Sequence, residues 1–163
     1  MAANPKLIKN VQQGILDRLI DLEPDNRFEA PMSRAESVRQ LRLSVKRDLE
    51  WLLNSTRMPI EVPESCEEVE KSVLFYGLPD IASLSIQNSS AQTGLQRSLE
   101  KAIETFEPRL SKARVTARGK YRATNQSVTF HVEAILLMDP VPERFSFDTV
   151  LELSKGAYTV KED

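Results

Sequence analysis

An α+β domain is the fold class the sequence predicts: an antiparallel three- to four-stranded sheet packed against helices, with an N-terminal helical extension. Three observations predict it. Apolar residues recur mostly at helical spacing before residue 108 and at strand spacing after it, and the change falls on one proline, Pro108. Short turns separate the strand-like segments, which makes an antiparallel meander the economical topology, with helices over one face. The chain of 163 residues, 40% hydrophobic and 28% charged, is long enough for one core and a terminal extension.

Over residues 5–22, Leu7, Ile8, Val11, Ile15, Leu16, Leu19 and Ile20 recur every three or four positions, which predicts an amphipathic helix with Pro5 in its first turn. Pro24, Pro31 and Asp25-Asn26-Arg27 then predict a linker up to residue 32. An apolar-faced helix on a linker implies a docking surface, in this chain or in another. The expected division is residues 1–32 for helix and linker and 33–163 for the α+β domain. Ser33-Arg34-Ala35-Glu36 fits a capping box, in which serine oxygen and glutamate satisfy unpaired amides at a helix start. The helix it opens is expected to run to about residue 54, striped by Val38, Leu41, Val45, Leu49 and Leu52. Arg39, Arg42 and Lys46 share another face, and Trp51, beside the stripe, is expected in the core.

Glu61, Glu64, Glu67, Glu68 and Glu70, interrupted by Pro63 and preceded by Pro59, predict an acidic loop with at most a short helix. The apolar run Val73-Leu74-Phe75-Tyr76 enters a turn at Gly77-Leu78-Pro79-Asp80. Residues 83–90 read as a loop, followed by a third helix with Leu95, Leu99, Ala102, Ile103 and Phe106 on one face. Beyond Pro108 the period becomes two. Lys112, Arg114, Arg118, Lys120 and Arg122 alternate with Ala113, Val115, Ala117 and Tyr121, so one face of the strand is basic, and residues 109–122 contain no acid. A basic face serves either to discourage edge aggregation or to meet a partner. Residues 127–138 suit a central strand, 145–154 an outer one, and Gly156 with a polar tail closes the chain.

A net charge of -2 and a pI near 5.6 argue against general nucleic-acid binding. The single cysteine, Cys66, permits no intrachain disulfide and points to a reducing compartment. Lys6, Lys9, Asp17 and Asp21 interrupt the N-terminal apolar residues, which argues against a signal peptide or a membrane span, so a cytoplasmic location is expected. Five glycines form no phosphate-binding loop, and no cofactor is expected. His131 is the only histidine; with Cys66 alone beside it in the inventory, no metal site of the usual kind is expected, and a structural role suits this mid-strand residue. A glycosidase needs two carboxyls about 5–10 Å apart, one with a raised pKa. The best-placed acid, Glu107, lies two residues from Arg109, whose charge favours the ionised form, so no catalytic residue is assigned.

The corner Phe106-Glu107-Pro108-Arg109-Leu110 resembles the Glu-Pro-Arg signature of the baseplate wedge family of contractile phage tails. Leu16-Asp17-Arg18-Leu19-Ile20-Asp21, residues 44–54 (Ser-Val-Lys-Arg-Asp-Leu-Glu-Trp-Leu-Leu-Asn) and residues 72–80 (Ser-Val-Leu-Phe-Tyr-Gly-Leu-Pro-Asp) are similar, in matching order, to blocks of its type VI secretion branch, TssE. The resemblance implies a structural, non-enzymatic role. In that role the protein connects the wedge, through TssF, TssG and TssK, to the contractile sheath of TssB/TssC and helps initiate its assembly. It implies a cytoplasmic baseplate docked at the inner face of the inner membrane, without membrane insertion or nucleic acid. Glu107, Pro108, Arg109, Lys112, Arg114, Arg118, Lys120 and Arg122 are then the expected partner-binding residues, with Arg109 suited to a bidentate bond to a carboxylate and the basic strand to acidic partners. Some family members were once labelled lysozyme-like, so a peptidoglycan-cleaving hydrolase is an alternative. A regulatory adaptor of related fold is another.

Overall fold

Alternation of apolar and polar side chains on both sides of each turn lets the second half of the chain fold back on itself as one sheet. The computed structural model describes residues 11, 13–20, 24, 32–80, 89–118 and 127–162. Strands β1 (Leu110–Arg118), β2 (Ser127–Leu136), β3 (Glu143–Glu152) and β4 (Ala157–Glu162) pair antiparallel in sequence order. Three helices precede them: α1 (Ile15–Leu19), α2 (Arg34–Asn54) and α3 (Ser89–Phe106). Two short 3-10 segments, Glu64–Lys71 and Val73–Phe75, lie between α2 and α3. The α+β meander is therefore present with four strands.

The core lies between one face of the sheet and the two long helices. Leu41, Val45, Leu49, Leu52 and Leu53 from α2, and Leu95, Leu99, Ala102 and Ile103 from α3, meet Phe130, Val132, Leu136, Phe145, Phe147 and Leu151. Burial of this apolar surface is the main source of cohesion. At the start of α2 the serine cap forms, with Ser33 Oγ accepting from the Glu36 amide at 3.3 Å. A parallel bridge, Thr56↔Leu78, returns the 3-10 segments to the end of α2.

Several expectations are corrected. The tail after Gly156 is a strand: Gly156, at φ 63°, closes a tight turn by donating to the Glu152 carbonyl at 2.8 Å, and Tyr158 and Val160 point into the core. Trp51 is outside the core, 54% exposed, because it lies beside the buried stripe rather than on it. The Arg47 guanidinium sits 5.0 Å from its ring centre. Among the described residues the N-terminal helix spans only Ile15–Leu19, and the rest of the helix expected over residues 5–22 lies largely outside them. α3 begins at Ser89, two residues before its expected start, and the remainder of the loop expected at 83–90 lies outside the described residues.

Helix side chains cap both sheet edges. Asn54 at the end of α2 donates through Nδ2 to the Tyr158 carbonyl at 2.9 Å and accepts from the Tyr158 amide through Oδ1 at 2.8 Å. Glu50 accepts from the Val160 amide at 3.1 Å, and on the opposite edge Glu100 of α3 accepts from the Val115 amide at 2.8 Å. Edge donors left open invite strand addition, so these carboxylates and this amide blunt both edges.

Tyr158 supplies a first prediction. It is 4% exposed, and its hydroxyl has no hydrogen-bond partner among the described residues. Burial disfavours the phenolate and raises the pKa above its ordinary value of 10.0. The folded chain then holds this proton more tightly than the unfolded chain, so stability falls as pH rises beyond the unfolded pKa. Tyr158→Phe is expected to add about 1 kcal/mol at neutral pH by removing an unpaired hydroxyl, and to flatten the alkaline loss. Urea unfolding at neutral pH and again above about pH 10 checks both effects.

Candidate functional site

α3 ends where Pro108 removes the next amide donor. The Glu107 amide still donates to the Ile103 carbonyl at 2.9 Å, and the chain turns through Pro108 and Arg109 into β1. This leaves Glu107, 4% exposed, at the C-terminal end of a helix, where the helix dipole is unfavourable to a carboxylate. Arg109 resolves that conflict. Its Nε donates to Glu107 Oε1 at 2.6 Å and its Nη2 to Oε2 at 2.5 Å, a bidentate fork.

The same guanidinium reaches α2. Arg109 Nη2 donates to Asp48 Oδ2 at 2.6 Å and Nη1 to Ser44 Oγ at 3.1 Å. Burial on its own would lower the Arg109 pKa, but hydrogen bonds and charge from Glu107 and Asp48 outweigh it and hold the pKa above its ordinary value. The other Asp48 oxygen, Oδ1, accepts from Arg47 Nε at 2.9 Å and Nη2 at 2.7 Å, and Arg47 Nη1 donates to Asp17 at 2.7 Å. Hydrogen bonds donated to Asp48, and then to Asp17, raise the Arg47 pKa against the opposing effect of burial. One chain of charges therefore runs from the end of α3 through α2 to α1.

The expected site residues divide into two groups. Glu107 and Arg109 face inward, and the bidentate bond expected for a partner carboxylate is made inside the chain, to Glu107. The Arg109 side chain keeps 24% exposure and lines an open cleft of about 1090 Å³ with Val11, Leu41, Leu137 and Pro140. Pro108, Lys112, Arg114 and Arg118 are exposed. Arg118 pairs with Asp148 at 3.2 Å. Lys120 and Arg122 lie outside the described residues.

A bulge sets how the basic residues emerge. Ser111 pairs with Ile135 but Arg114 with Glu133, so β1 spends one extra residue there, with Lys112 at φ 55°. The extra residue changes the phase of the strand: Leu110 is buried from an even position, Ala113 and Val115 from odd ones. Lys112 and Arg114 are thereby turned to solvent within a few residues of the clamp. His131 sits on the outer face of the sheet, its Nδ1 2.6 Å from Asp148 Oδ1, in keeping with a structural role. Among the described residues no group of three or more His, Cys, Asp or Glu is placed to hold a metal, and no helix is long and apolar enough to cross a membrane.

Asp48, Ser44, Arg47 and Asp17 were not among the candidate site residues read from the sequence, although the blocks that carry the family resemblance include all four. A signal for two of them existed, since Ser44 and Asp48 are polar residues one turn apart, flanking Val45 and Leu49 of the apolar stripe of α2.

The corner is thus a helix-to-strand turn braced from inside, with exposed cations just beyond it. The chain belongs to the family of Baseplate wedge protein gp25, whose family model matches residues 39–141. That span includes Asp48, the Glu107-Pro108-Arg109 corner and β1. A search of curated proteins returned no match. A solved structure, the baseplate complex from the type VI secretion system, is similar at 18% identity and a TM-score of 0.43, covering 66% of this chain and 94% of that one.

Proposed function

We propose that this chain is the TssE-type wedge subunit of a type VI secretion baseplate, joining TssF, TssG and TssK to the TssB/TssC sheath and helping to initiate sheath assembly. The observation that carries this reading is membership of the wedge family over a span that contains the whole corner. In this proposal Glu107 and Arg109 act as an internal brace, and Pro108, Lys112, Arg114 and Arg118, with Lys120 and Arg122, form the partner-facing surface. Acid-free chain beside the brace suits acidic partner segments. Residues 33–163 form the wedge domain, and 1–32 a helix and linker. The setting is the cytoplasmic face of the inner membrane, and the role is non-enzymatic.

Sheath contact by strand addition uses backbone amides for affinity. On this chain it requires a capped edge to open, with either Glu100 leaving β1 or Asn54 and Glu50 leaving β4. Co-expression with TssF and TssG tests the assembly reading: the chain is expected to co-purify with them, and cells lacking it are expected to form no TssB/TssC sheath. Normal sheaths in its absence, or peptidoglycan cleavage by the purified chain that Glu107→Gln abolishes without loss of fold, would overturn the proposal.

A further inference from the structure

A second cluster of cations lies between the 3-10 segments and α3, and none of its charged residues belongs to the brace. Arg57, Arg97, Lys101, Glu70, Phe75 and Phe106 line a cleft of about 240 Å³ there. Three cations face one carboxylate, which leaves two positive charges uncompensated among its lining residues. Arg97 and Lys101 are one turn apart on α3, a like-charged spacing that destabilises a helix unless an anion sits between the side chains. Arg57 is carried to the same place by backbone pairing, its amide donating to the Leu78 carbonyl at 2.9 Å. Lys101 is held by Glu70 at 2.8 Å; the side chains of Arg57 and Arg97 make no ion pair or hydrogen bond among the described residues, although the charge of Arg57, after that of Lys101, helps to hold the Glu70 carboxyl below its ordinary pKa.

We propose that this cleft is a binding site for an aspartate or glutamate side chain of a protein partner, clasped by Arg57 and Arg97, with Glu70 as the internal carboxylate that competes for Lys101. The volume lies below that of pockets for drug-sized ligands and suits one side chain. Phe75 and Phe106 give its wall an apolar part along which the methylenes of such a residue can lie. Extended polyanions of any kind fit poorly, because the neighbouring stretch carries Glu61, Glu64, Glu67, Glu68 and Glu70 and would repel them, which leaves a single carboxylate as the better match. The site adjoins the corner at Phe106 but shares no charged residue with the brace, and the reading stands whichever assembly the chain serves.

The test titrates the full isotope-labelled chain with a capped Ala-Glu-Ala peptide, which carries one carboxylate, and follows backbone amide shifts. Expected are shifts at Gly77, Ser98 and Lys101, an affinity about tenfold weaker in Arg57→Ala/Arg97→Ala, and a tighter one in Glu70→Gln, which frees Lys101. Should the pair of substitutions lower the melting temperature, Arg97→Gln alone, on exposed helix surface, serves in its place. The Glu70→Gln gain is a readout that a merely structural cluster would not give. Shifts scattered elsewhere, affinity indifferent to these substitutions, or equal binding of inorganic phosphate or an oligonucleotide would overturn the proposal.

Discussion

Arg109→Ala is expected to destabilise the chain by about 3–5 kcal/mol, the range for stripping one partner from a buried ion pair. Glu107, 4% exposed, would keep its charge at the end of α3 with its bidentate donor gone. Asp48 and Ser44 would lose a partner at the same time, so the tie between the corner and α2 would break. Arg109→Lys keeps the charge but cannot make the fork and the bridge together, and an intermediate loss of about 1–3 kcal/mol is expected. Glu107→Gln combined with Arg109→Gln should recover part of the alanine loss, since no unpaired charge remains. Urea unfolding midpoints check the order of the three. A loss below about 1 kcal/mol in Arg109→Ala would show that the corner is not braced in this way.

Gly77→Ala is the second large effect. Gly77 has φ +110°, outside the range that L side chains ordinarily adopt, and an added Cβ would lie 2.2 Å from the Ser55 carbonyl oxygen. That oxygen cannot yield freely, because it accepts the Leu78 amide at 2.9 Å within the bridge that ties the 3-10 segments to α2. Backbone strain and overpacking together are expected to cost about 3 kcal/mol. The contrast is Gly94 on α3, where an added Cβ meets nothing within 4 Å. Gly94→Ala is expected to stabilise by about 0.5–1 kcal/mol through helix propensity. Thermal melting of the two variants side by side checks the difference in sign; a Gly77→Ala chain that melts no lower than the unsubstituted one would count against the geometry at Gly77.

Much of the fold was legible because period carries it. Ser33 and Glu36 marked the start of α2, Leu41, Val45, Leu49 and Leu52 its buried face, and Pro108 the end of α3. β4 was hidden because it is short, and only Tyr158 and Val160 mark its inward face, between residues that favour solvent. Trp51 misled because hydrophobicity alone places a tryptophan inside, whereas its helical phase and the guanidinium of Arg47 hold it at the surface. The corner itself was visible as Glu107-Pro108-Arg109, but its meaning was not. Arg109 meets Asp48 and Ser44 across 61 and 65 residues, a pairing fixed only when α2 and β1 lie over the same core. The bulge at Lys112 was half-visible in the change of phase between Leu110 and Ala113.

These observations separate two roles that the sequence presents as one stretch. Glu107 and Arg109 brace the corner from inside, and in the proposed role the exposed cations just beyond them make the contact with partners. The separation makes Lys112 and Arg114 the informative positions, since both are exposed and neither belongs to the brace. The most direct measurement is co-purification with TssF and TssG of a Lys112→Glu/Arg114→Glu variant whose melting matches the unsubstituted chain. The predicted result is a folded protein that no longer enters the complex; a variant that co-purifies as before and still supports sheath assembly would contradict the account.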